Sequence, residues 1–118
     1  MYATGQVVIG RLPFKDGTLP SYRRPYLVVS VDEAAKEIKV LVISSVLGKE
    51  HKLNFHANIL LENAIPPLSQ PSFVKADSAQ IIGFETARLY FKPLMNGHVS
   101  AGDMLNIANA LALIEMKG

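Results

Sequence analysis

Two nearly uninterrupted apolar runs, separated by a short polar segment, constrain the fold more than any other feature of this chain. The runs are residues 26–31 and residues 38–44, and both consist mainly of Val, Ile and Leu, which is typical of β-strands. Pro25 disfavours a helical conformation at Arg24, so the first strand has an extended start. The polar residues 32–37 between the runs predict an antiparallel hairpin with a longer loop. Apolar side chains at successive positions indicate burial on both faces of the sheet, or a tightly closed barrel.

The flanking segments add shorter strands to this hairpin. Gly10 interrupts the first apolar segment and predicts a β-bulge, and residues 13–22 have the proline and Asp-Gly content of a loop. Residues 64–71 contain three prolines and predict a fixed, exposed connection. Asn96-Gly97 predicts a turn. The remaining predicted strands are residues 6–12, 52–55, 58–61, 72–77, 80–82 and 88–94.

One helix is clearly encoded, and it lies at the C-terminus. Ser100 is a suitable N-cap, and Asp103 follows three residues later in a pattern that resembles a capping box. The apolar residues that recur at helical spacing are Met104, Ile107, Ala108, Leu111 and Ile114. This stripe favours packing against the sheet or a second subunit over a cofactor site. With no repeat or second-domain boundary, residues 1–118 are predicted to form one mainly β (α+β) domain.

Composition excludes several classes of function. The chain has no cysteine, which rules out disulfides, thiolate metal sites and a cysteine nucleophile, and fits a reducing cytosol. Neither a secretory signal nor a membrane span of about 18 apolar residues is predicted. The net charge is only +2. Residues 11–52 carry eight Lys or Arg against five Asp or Glu, which fits a face that attracts a polyanion or an ordinary solvated surface.

The sequence gives little support for a metal or an organic cofactor. His51 and His56 are five residues apart around an irregular segment, and His98 is distant, so histidine spacing does not indicate a metal site. No G-x-G-x-x-G, P-loop, H-E-x-x-H or G-x-S-x-G motif is present. We therefore predict that the protein uses no cofactor and no metal.

The hairpin predicts a phosphate-binding rim. In an antiparallel pair the start of one strand lies beside the end of the other, so Arg24 approaches Ser44 or Ser45. A guanidinium is a planar, permanently charged fork that suits phosphate oxygens, and a hydroxyl donates one further hydrogen bond to a phosphoryl oxygen or a 2′-OH.

A second pair of residues would supply proton transfer. Cleavage of RNA without a metal requires a base for the 2′-OH proton, a cation near phosphorus and an acid for the leaving 5′-oxygen. Lys75 and Asp77 are two apart in a predicted strand and so would share one face. Asp77 is then the candidate base and Lys75 a second phosphate contact; the alternative is an exposed ion pair.

Several segments, in this order and spacing, resemble the MazF/PemK family of toxin endoribonucleases. They are Gly5-Gln6-Val7-Val8, residues 12–17, residues 24–30 and residues 40–45. Residues 75–82 resemble the basic-x-acidic segment of the family, and the final helix also matches, so the resemblance spans nearly the whole chain.

The resemblance implies a fold and a biological role. The fold would be an SH3-like antiparallel β-barrel with a C-terminal helix, the plasmid-maintenance-toxin (CcdB/MazF/PemK-like) fold, usually as a homodimer. The protein would be the cytoplasmic, growth-inhibiting toxin of a type II toxin–antitoxin system. Such toxins cut single-stranded mRNA at short sequences without a metal and leave a 2′,3′-cyclic phosphate. A cognate antitoxin would block the RNA groove, and operator DNA would be bound only together with that antitoxin.

The resemblance also assigns residues. Arg24 matches the arginine before proline, and Ser44 matches the hydroxyl that ends the third strand, where many relatives have threonine. Lys75 and Asp77 fall on the catalytic basic and acidic positions of the PemK branch. Lysine replaces the arginine often found at that basic position, and it cannot make the same bidentate phosphate contact.

The first loop would cover the RNA and select its bases. Phe14 or Tyr22 would stack on a base. Some relatives use a histidine in this loop, and none is present here, so that role is vacant or is filled by Arg23, Lys15 or Tyr22. The predicted RNA-binding residues are Phe14, Lys15, Tyr22, Arg23 and Ser45.

Two non-catalytic alternatives use the same fold. One is a binding module such as a CcdB-type protein-targeting poison or an inactive MazF relative. The other is a ribosome- or RNA-binding SH3-like domain that does not cleave. The pair of Arg24 and Ser44 favours the nuclease, since a gyrase poison has no need of phosphate-binding groups.

Overall fold

The computed structural model describes residues 2–13, 16–55, 57–62, 68 and 70–117. Its strands are β1 (Gln6–Gly10), β2 (Arg24–Asp32), β3 (Glu37–Ser45), β4 (Asn58–Leu61), β5 (Ser72–Lys75), β6 (Gln80–Gly83) and β7 (Phe91–His98). Its α-helices are α1 (Phe84–Tyr90) and α2 (Ala101–Lys117), and two 3-10 helices span Glu50–Asn54 and Ala76–Ser78. The strands form one antiparallel sheet in the order β4-β5-β3-β2-β1-β7, with β6 also paired to β3.

Strand β3 pairs with three other strands, because the two halves of one of its edges have different neighbours. On one side it pairs with β2, whereas on the other residues 37–40 pair with β6 and residues 43–45 pair with β5. Between these halves, the Val42 N–H donates to Ser78 Oγ at 3.1 Å, and the Ser78 hydroxyl donates to the Lys75 carbonyl at 2.6 Å. The Ser78 hydroxyl thus pairs a backbone amide of β3 that lies between the two strand pairings.

Successive side chains of the central strands enter two separate apolar clusters. The cluster beneath α2 contains Val7, Leu27, Leu41, Ile43, Leu61, Leu68, Val74, Val99 and Ile107. The cluster toward α1 and β7 contains Val8, Leu12, Tyr26, Val28, Ile38, Val40, Ala87 and Phe91. Because neighbouring residues of β1, β2 and β3 belong to different clusters, both faces of the sheet are buried, as the uninterrupted apolar runs predict.

The capping prediction for the C-terminal helix is confirmed. The Asp103 N–H donates to Ser100 Oγ at 3.1 Å, which satisfies one of the unpaired amides of the first turn. The Asp103 carboxylate is buried and accepts a bond of 3.0 Å from the Glu62 N–H. The start of α2 is therefore tied to the residue that follows β4.

The apolar stripe of α2 is mostly as predicted. Ile107 is fully buried, while Met104, Leu111 and Ile114 are half-buried. Ala108 is exposed, which contradicts its place in the predicted stripe. Among the described residues, no helix has both the length and the apolar character needed to cross a membrane.

The predicted strand at residues 52–55 is wrong. Residues 52–54 belong to the 3-10 helix Glu50–Asn54, and Phe55 follows its end. Its backbone bonds are local: the Lys52 N–H donates to the Lys49 carbonyl at 2.9 Å, and the Phe55 N–H donates to the Lys52 carbonyl at 3.2 Å. An alternation of apolar and polar residues over four positions is too short to distinguish the two structures.

The predicted strand at residues 88–94 is wrong in its first half. Residues 84–90 form α1, and strand β7 begins only at Phe91. Phe84 and Ala87 are three apart and face the same apolar cluster, which is a helical spacing. The predicted turn at Asn96-Gly97 is also wrong, because both residues lie within β7.

Other segment boundaries differ from the predictions as well. Strand β1 ends at Gly10, and its pairing shift with β7 lies between Gln6 and Val8, so the predicted bulge at Gly10 is wrong. Gly10 is required for another reason: a Cβ there would overlap the Tyr90 carbonyl oxygen. The proline-rich connection at residues 64–71 falls mostly outside the described residues.

Candidate active site

A cavity of about 230 Å³ opens where the start of β2 lies beside the end of β3. Extending the pairing of Tyr26 with Val42 by two residues places Arg24 opposite Ser44. The lining residues are Tyr22, Arg24, Pro25, Ile43, Ser44, Ser45, Lys49, Leu68, Gln70 and Ser72. The structure therefore brings the guanidinium and both hydroxyls into one cavity, as the hairpin register predicts.

The Arg24 side chain contacts Tyr22, two residues earlier in the chain. The guanidinium carbon lies 5.1 Å from the centre of the Tyr22 ring, and Nη2 donates to the Tyr22 hydroxyl at 3.3 Å. Arg24 is half-buried, whereas Tyr22 is 57% exposed. A cation over an aromatic face is favourable, so Tyr22 orients the arginine and still presents ring surface to solvent.

The two adjacent hydroxyls have different hydrogen-bond partners. Lys49 Nζ donates to Ser44 Oγ at 3.1 Å. Because an ammonium group can only donate, Ser44 acts as the acceptor in this contact. Ser45 Oγ instead donates to Gln70 Oε1 at 2.8 Å and accepts from the Leu47 N–H at 3.2 Å. The Ser45 hydroxyl is thus already bonded to a distant segment of the chain, and within the described part of the chain the Ser44 proton has no acceptor.

Lys75 ends β5 and is half-buried beside three other cations. Burial lowers its pKa below the usual lysine value, the charges of Lys52, Arg24 and Lys49 lower it further, and Asp77 opposes these effects. We refer to Arg24, Lys49, Lys52 and Lys75 as the cationic cluster. Like charges at this proximity favour the binding of an anion such as phosphate.

Asp77 does not share a strand face with Lys75, so that prediction is wrong. Strand β5 ends at Lys75, and Asp77 is exposed in the 3-10 helix Ala76–Ser78. The bond from the Ser78 hydroxyl to the Lys75 carbonyl turns the chain at this point. Among the described residues, no salt bridge joins Lys75 to Asp77, and neither residue lines the cavity.

The remaining predicted RNA contacts lie in the first loop. Arg23 is exposed immediately before β2 and does not line the cavity. Phe14 and Lys15 lie outside the described residues. In the described part of the loop, the Asp16 carboxylate accepts bonds from the Thr18 N–H and hydroxyl at 2.9 and 2.6 Å.

Sequence reasoning missed three polar lining residues. They are Lys49, Gln70 and Ser72. Lys49 had a usable signal, since it and Lys52 are two cations placed just after β3. Gln70 and Ser72 had none, because β5 is brought to β3 only by the tertiary fold. Considering the described residues alone, no group of three or more His, Asp or Glu could hold a metal ion.

A larger cavity of about 670 Å³ lies at the opposite end of the β2–β3 hairpin. Its wall includes the ring pair of Tyr2 and Phe84, whose centres are 5.7 Å apart. Arg88 in this wall donates to the Glu85 carboxylate at 2.7 Å, and the described residues of the wall include two cations and two carboxylates, so it has no excess of positive charge. The smaller cavity, with its cationic cluster and donor hydroxyl, is the better candidate for anion chemistry.

Comparison with known proteins identifies the family and the fold. Residues 3–114 match the family described as PemK-like, MazF-like toxin of type II toxin-antitoxin system. A chain from a MazE-MazF crystal structure (Form-II) of Deinococcus radiodurans is similar, with a TM-score of 0.68 and 17% identity, over 98% of this chain and 96% of that chain. MazF (Form-I) of the same organism has a TM-score of 0.67 and 17% identity, over 94% and 93% of the two chains.

At these identities the structural similarity establishes the fold, a curled antiparallel sheet with a C-terminal helix. The comparison with curated protein sequences gave no significant match.

Proposed function

The chain belongs to the PemK-like, MazF-like toxins of type II toxin–antitoxin systems, and from this premise we propose that it is a sequence-selective, metal-independent endoribonuclease acting on single-stranded mRNA in the cytoplasm. The observation that carries the proposal is the cavity in which Arg24 and Ser44 face the same space. The cationic cluster surrounding it supports a polyanionic substrate, because electrostatic attraction dominates the affinity for nucleic acid.

The proposed reaction is an intramolecular transesterification of the RNA. The 2′-oxygen attacks phosphorus, the bond from phosphorus to the 5′-oxygen breaks, and the products are a 2′,3′-cyclic phosphate and a 5′-hydroxyl. Arg24 stabilises the negative charge that develops on the phosphoryl oxygens. Ser44 donates a hydrogen bond to one of those oxygens or orients the 2′-OH.

Two further residues are proposed for proton transfer. Asp77 accepts the proton of the 2′-OH, and Lys75 contacts the phosphate. The lowered pKa of Lys75 also makes its ammonium a better proton donor to the leaving 5′-oxygen than an ordinary lysine. Neither residue lines the cavity, but Lys75 lies close enough to Arg24 and Lys49 for their charges to lower its pKa.

The first loop is proposed to select the RNA sequence. Tyr22 presents an exposed ring beside Arg24 and is suited to stacking on a base. Arg23 adds an exposed cation next to it, and we assign the same role to Phe14 and Lys15. Ser45 acts indirectly, since its hydroxyl donates to Gln70 in the cavity wall and accepts a bond from the Leu47 N–H.

The proposed partners are a second copy of the chain and a cognate antitoxin. The outer side of α2 exposes Leu105, Leu113 and Met116, at 63%, 59% and 82%. Such a surface supports a homodimer. The antitoxin would cover the RNA cavity, and operator DNA would be bound only in its company.

One assay tests the nuclease proposal. Purified protein is incubated in EDTA with a long single-stranded RNA, and the new ends are mapped and tested for cyclic phosphate. We expect cleavage at a short recurrent sequence. Arg24→Ala should reduce the rate by about 10²-fold or more. Arg88→Ala, which removes the same charge at the far cavity, should have little effect.

Two results would count against the proposal in different ways. RNA that stays intact would exclude the nuclease and favour a non-catalytic binding module. Cleavage that continues undiminished in Arg24→Ala would retain the activity but place the active site elsewhere.

A further inference from the structure

We propose that Lys49 is a positioning residue that prepares Ser44 to donate its hydrogen bond to the RNA. This inference rests on the proposed function, and it concerns a residue outside the set assigned to the site from the sequence. The observation that carries it is the bond of 3.1 Å from Lys49 Nζ to Ser44 Oγ within the cavity wall.

The contact fixes the orientation of the Ser44 hydroxyl. A serine hydroxyl rotates freely and has one proton to donate and two lone pairs that accept. The Lys49 ammonium occupies one lone pair and repels the hydroxyl proton, so that proton points away from Lys49. The remaining direction that allows a strong bond is toward the cavity, where a phosphoryl oxygen would be held by Arg24.

Lys49 distinguishes Ser44 from its neighbour. The Ser45 proton is already donated to Gln70 Oε1, and its oxygen accepts from the Leu47 N–H. No described residue accepts the Ser44 proton. Of two adjacent and chemically identical side chains, Ser44 is thus the one left as a donor for the substrate.

The backbone holds Lys49 where this contact is possible. The Lys49 N–H donates to the Val46 carbonyl at 2.8 Å, and the Lys49 carbonyl accepts from the Lys52 N–H at 2.9 Å. Gly48 has a φ of 75°, a left-handed conformation that favours glycine. Lys49 therefore lies between a tight turn and the 3-10 helix Glu50–Asn54, and its side chain starts from a fixed point.

Lys52 provides a matched control. It belongs to the same cationic cluster and affects the pKa of Lys75, but within the described residues it has no bond to Ser44. Lys52→Met and Lys49→Met each remove one positive charge and replace lysine by the same unbranched apolar side chain. The difference between the two variants isolates the hydrogen bond to Ser44 from general attraction of RNA.

The experiment makes two measurements on each variant. The first is the affinity for RNA as a function of salt concentration, and the second is the single-turnover rate of cleavage at saturating protein. Both variants should weaken binding and reduce the salt slope by about one. We expect Lys49→Met to slow cleavage of bound RNA about tenfold more than Lys52→Met does, the size of a lost hydrogen bond to a charged group. Lys49→Arg, which keeps the charge and the donors, should restore part of that rate.

A double-mutant cycle completes the test. In a Ser44→Ala background, adding Lys49→Met should slow cleavage no more than adding Lys52→Met does. Equal rates for the two single variants, or a full tenfold further loss in the Ser44→Ala background, would overturn the inference while leaving the nuclease intact. A wild-type protein that does not cleave RNA would overturn both, and Lys49→Arg keeps the comparison available should Lys49→Met not fold.

Discussion

At the scale of single residues, hydrogen-bond direction decides what the cavity can do. Ser44 and Ser45 are adjacent on β3, and both line the cavity. Ser44 accepts from a lysine, whereas Ser45 donates to a glutamine. A donor that is already engaged cannot stabilise charge on a substrate without breaking its bond, so the two hydroxyls are not equivalent.

Removing these hydroxyls one at a time should therefore have unequal effects. Ser44→Ala should lower the single-turnover rate of RNA cleavage by about 10²-fold, the cost of losing one donor to a developing negative charge. Ser45→Ala should cost less than about tenfold, since it removes bonds to Gln70 and Leu47 and leaves the proposed donor Ser44 in place. A larger loss of cleavage rate in Ser45→Ala than in Ser44→Ala would make Ser45, not Ser44, the donor to the substrate.

Lys75 is a residue whose charge opposes folding. Its pKa is lowered in the folded protein, first by burial and then by neighbouring cations, so at neutral pH the charged form destabilises the native state. Lys75→Met should raise the melting temperature at pH 7 while weakening RNA binding. Wild-type stability rises with pH between the lowered folded pKa and the ordinary value of 10.5, so the advantage of the variant should shrink over that interval.

Thermal unfolding from pH 7 to pH 11 measures this effect. Lys92→Met is the control, because Lys92 is exposed on β7. The pKa of Lys75 would not be lowered in the folded protein if Lys75→Met melted no higher than the wild type at pH 7. The same conclusion would follow if the difference in melting temperature grew with pH.

At the scale of elements, the change of neighbour along β3 shapes the site. The end of β3 pairs with β5, which brings Lys75 beside Arg24, Lys49 and Lys52, while its start pairs with β6. The Ser78 hydroxyl satisfies the Val42 N–H between the two pairings. This small bridge lets one strand border two others without leaving a buried amide unpaired.

Ser78→Ala should therefore destabilise the fold more than an ordinary serine replacement. The Val42 N–H would lose its partner at a part-buried position, at a cost of about 1–3 kcal/mol in the free energy of unfolding. Urea unfolding measures this, with Ser30→Ala at an exposed position of β2 as control and an expected change within about 0.5 kcal/mol. Equal stabilities for the two variants would show that the bridge contributes nothing.

At the scale of the whole molecule, α2 has two sides with different uses. Its inner side buries Ile107 beneath the sheet, and its outer side exposes leucine and methionine. Exposed apolar surface of this kind is commonly covered by a partner.

Charge introduced on the outer side of α2 should disrupt the proposed dimer. Leu105→Lys together with Met116→Lys is expected to convert a dimer into a monomer in sedimentation experiments, because an interface core does not tolerate unpaired charge. Leu89→Lys, at an equally exposed position of α1, should leave the mass unchanged. A mass unaffected by the double substitution would place the interface elsewhere.

The amino-acid sequence by itself determined the central hairpin, the C-terminal helix with its Ser100 cap, and the meeting of Arg24 with the end of β3. Each of these follows from local information: apolar periodicity, a capping residue, or the register of two strands joined by one turn. The same information was insufficient for residues 52–55 and 84–90, where short apolar patterns fit a strand and a helix equally well.

Only the tertiary structure decided which further residues lie around the cavity. Lys49 reaches Ser44 because of a turn and a 3-10 helix, and Lys75 joins the cationic cluster because β5 pairs with β3. Asp77 leaves the strand because Ser78 bridges β3 and Lys75. These contacts depend on the path of the chain between distant segments, and a pattern read along the sequence carries no information about that path.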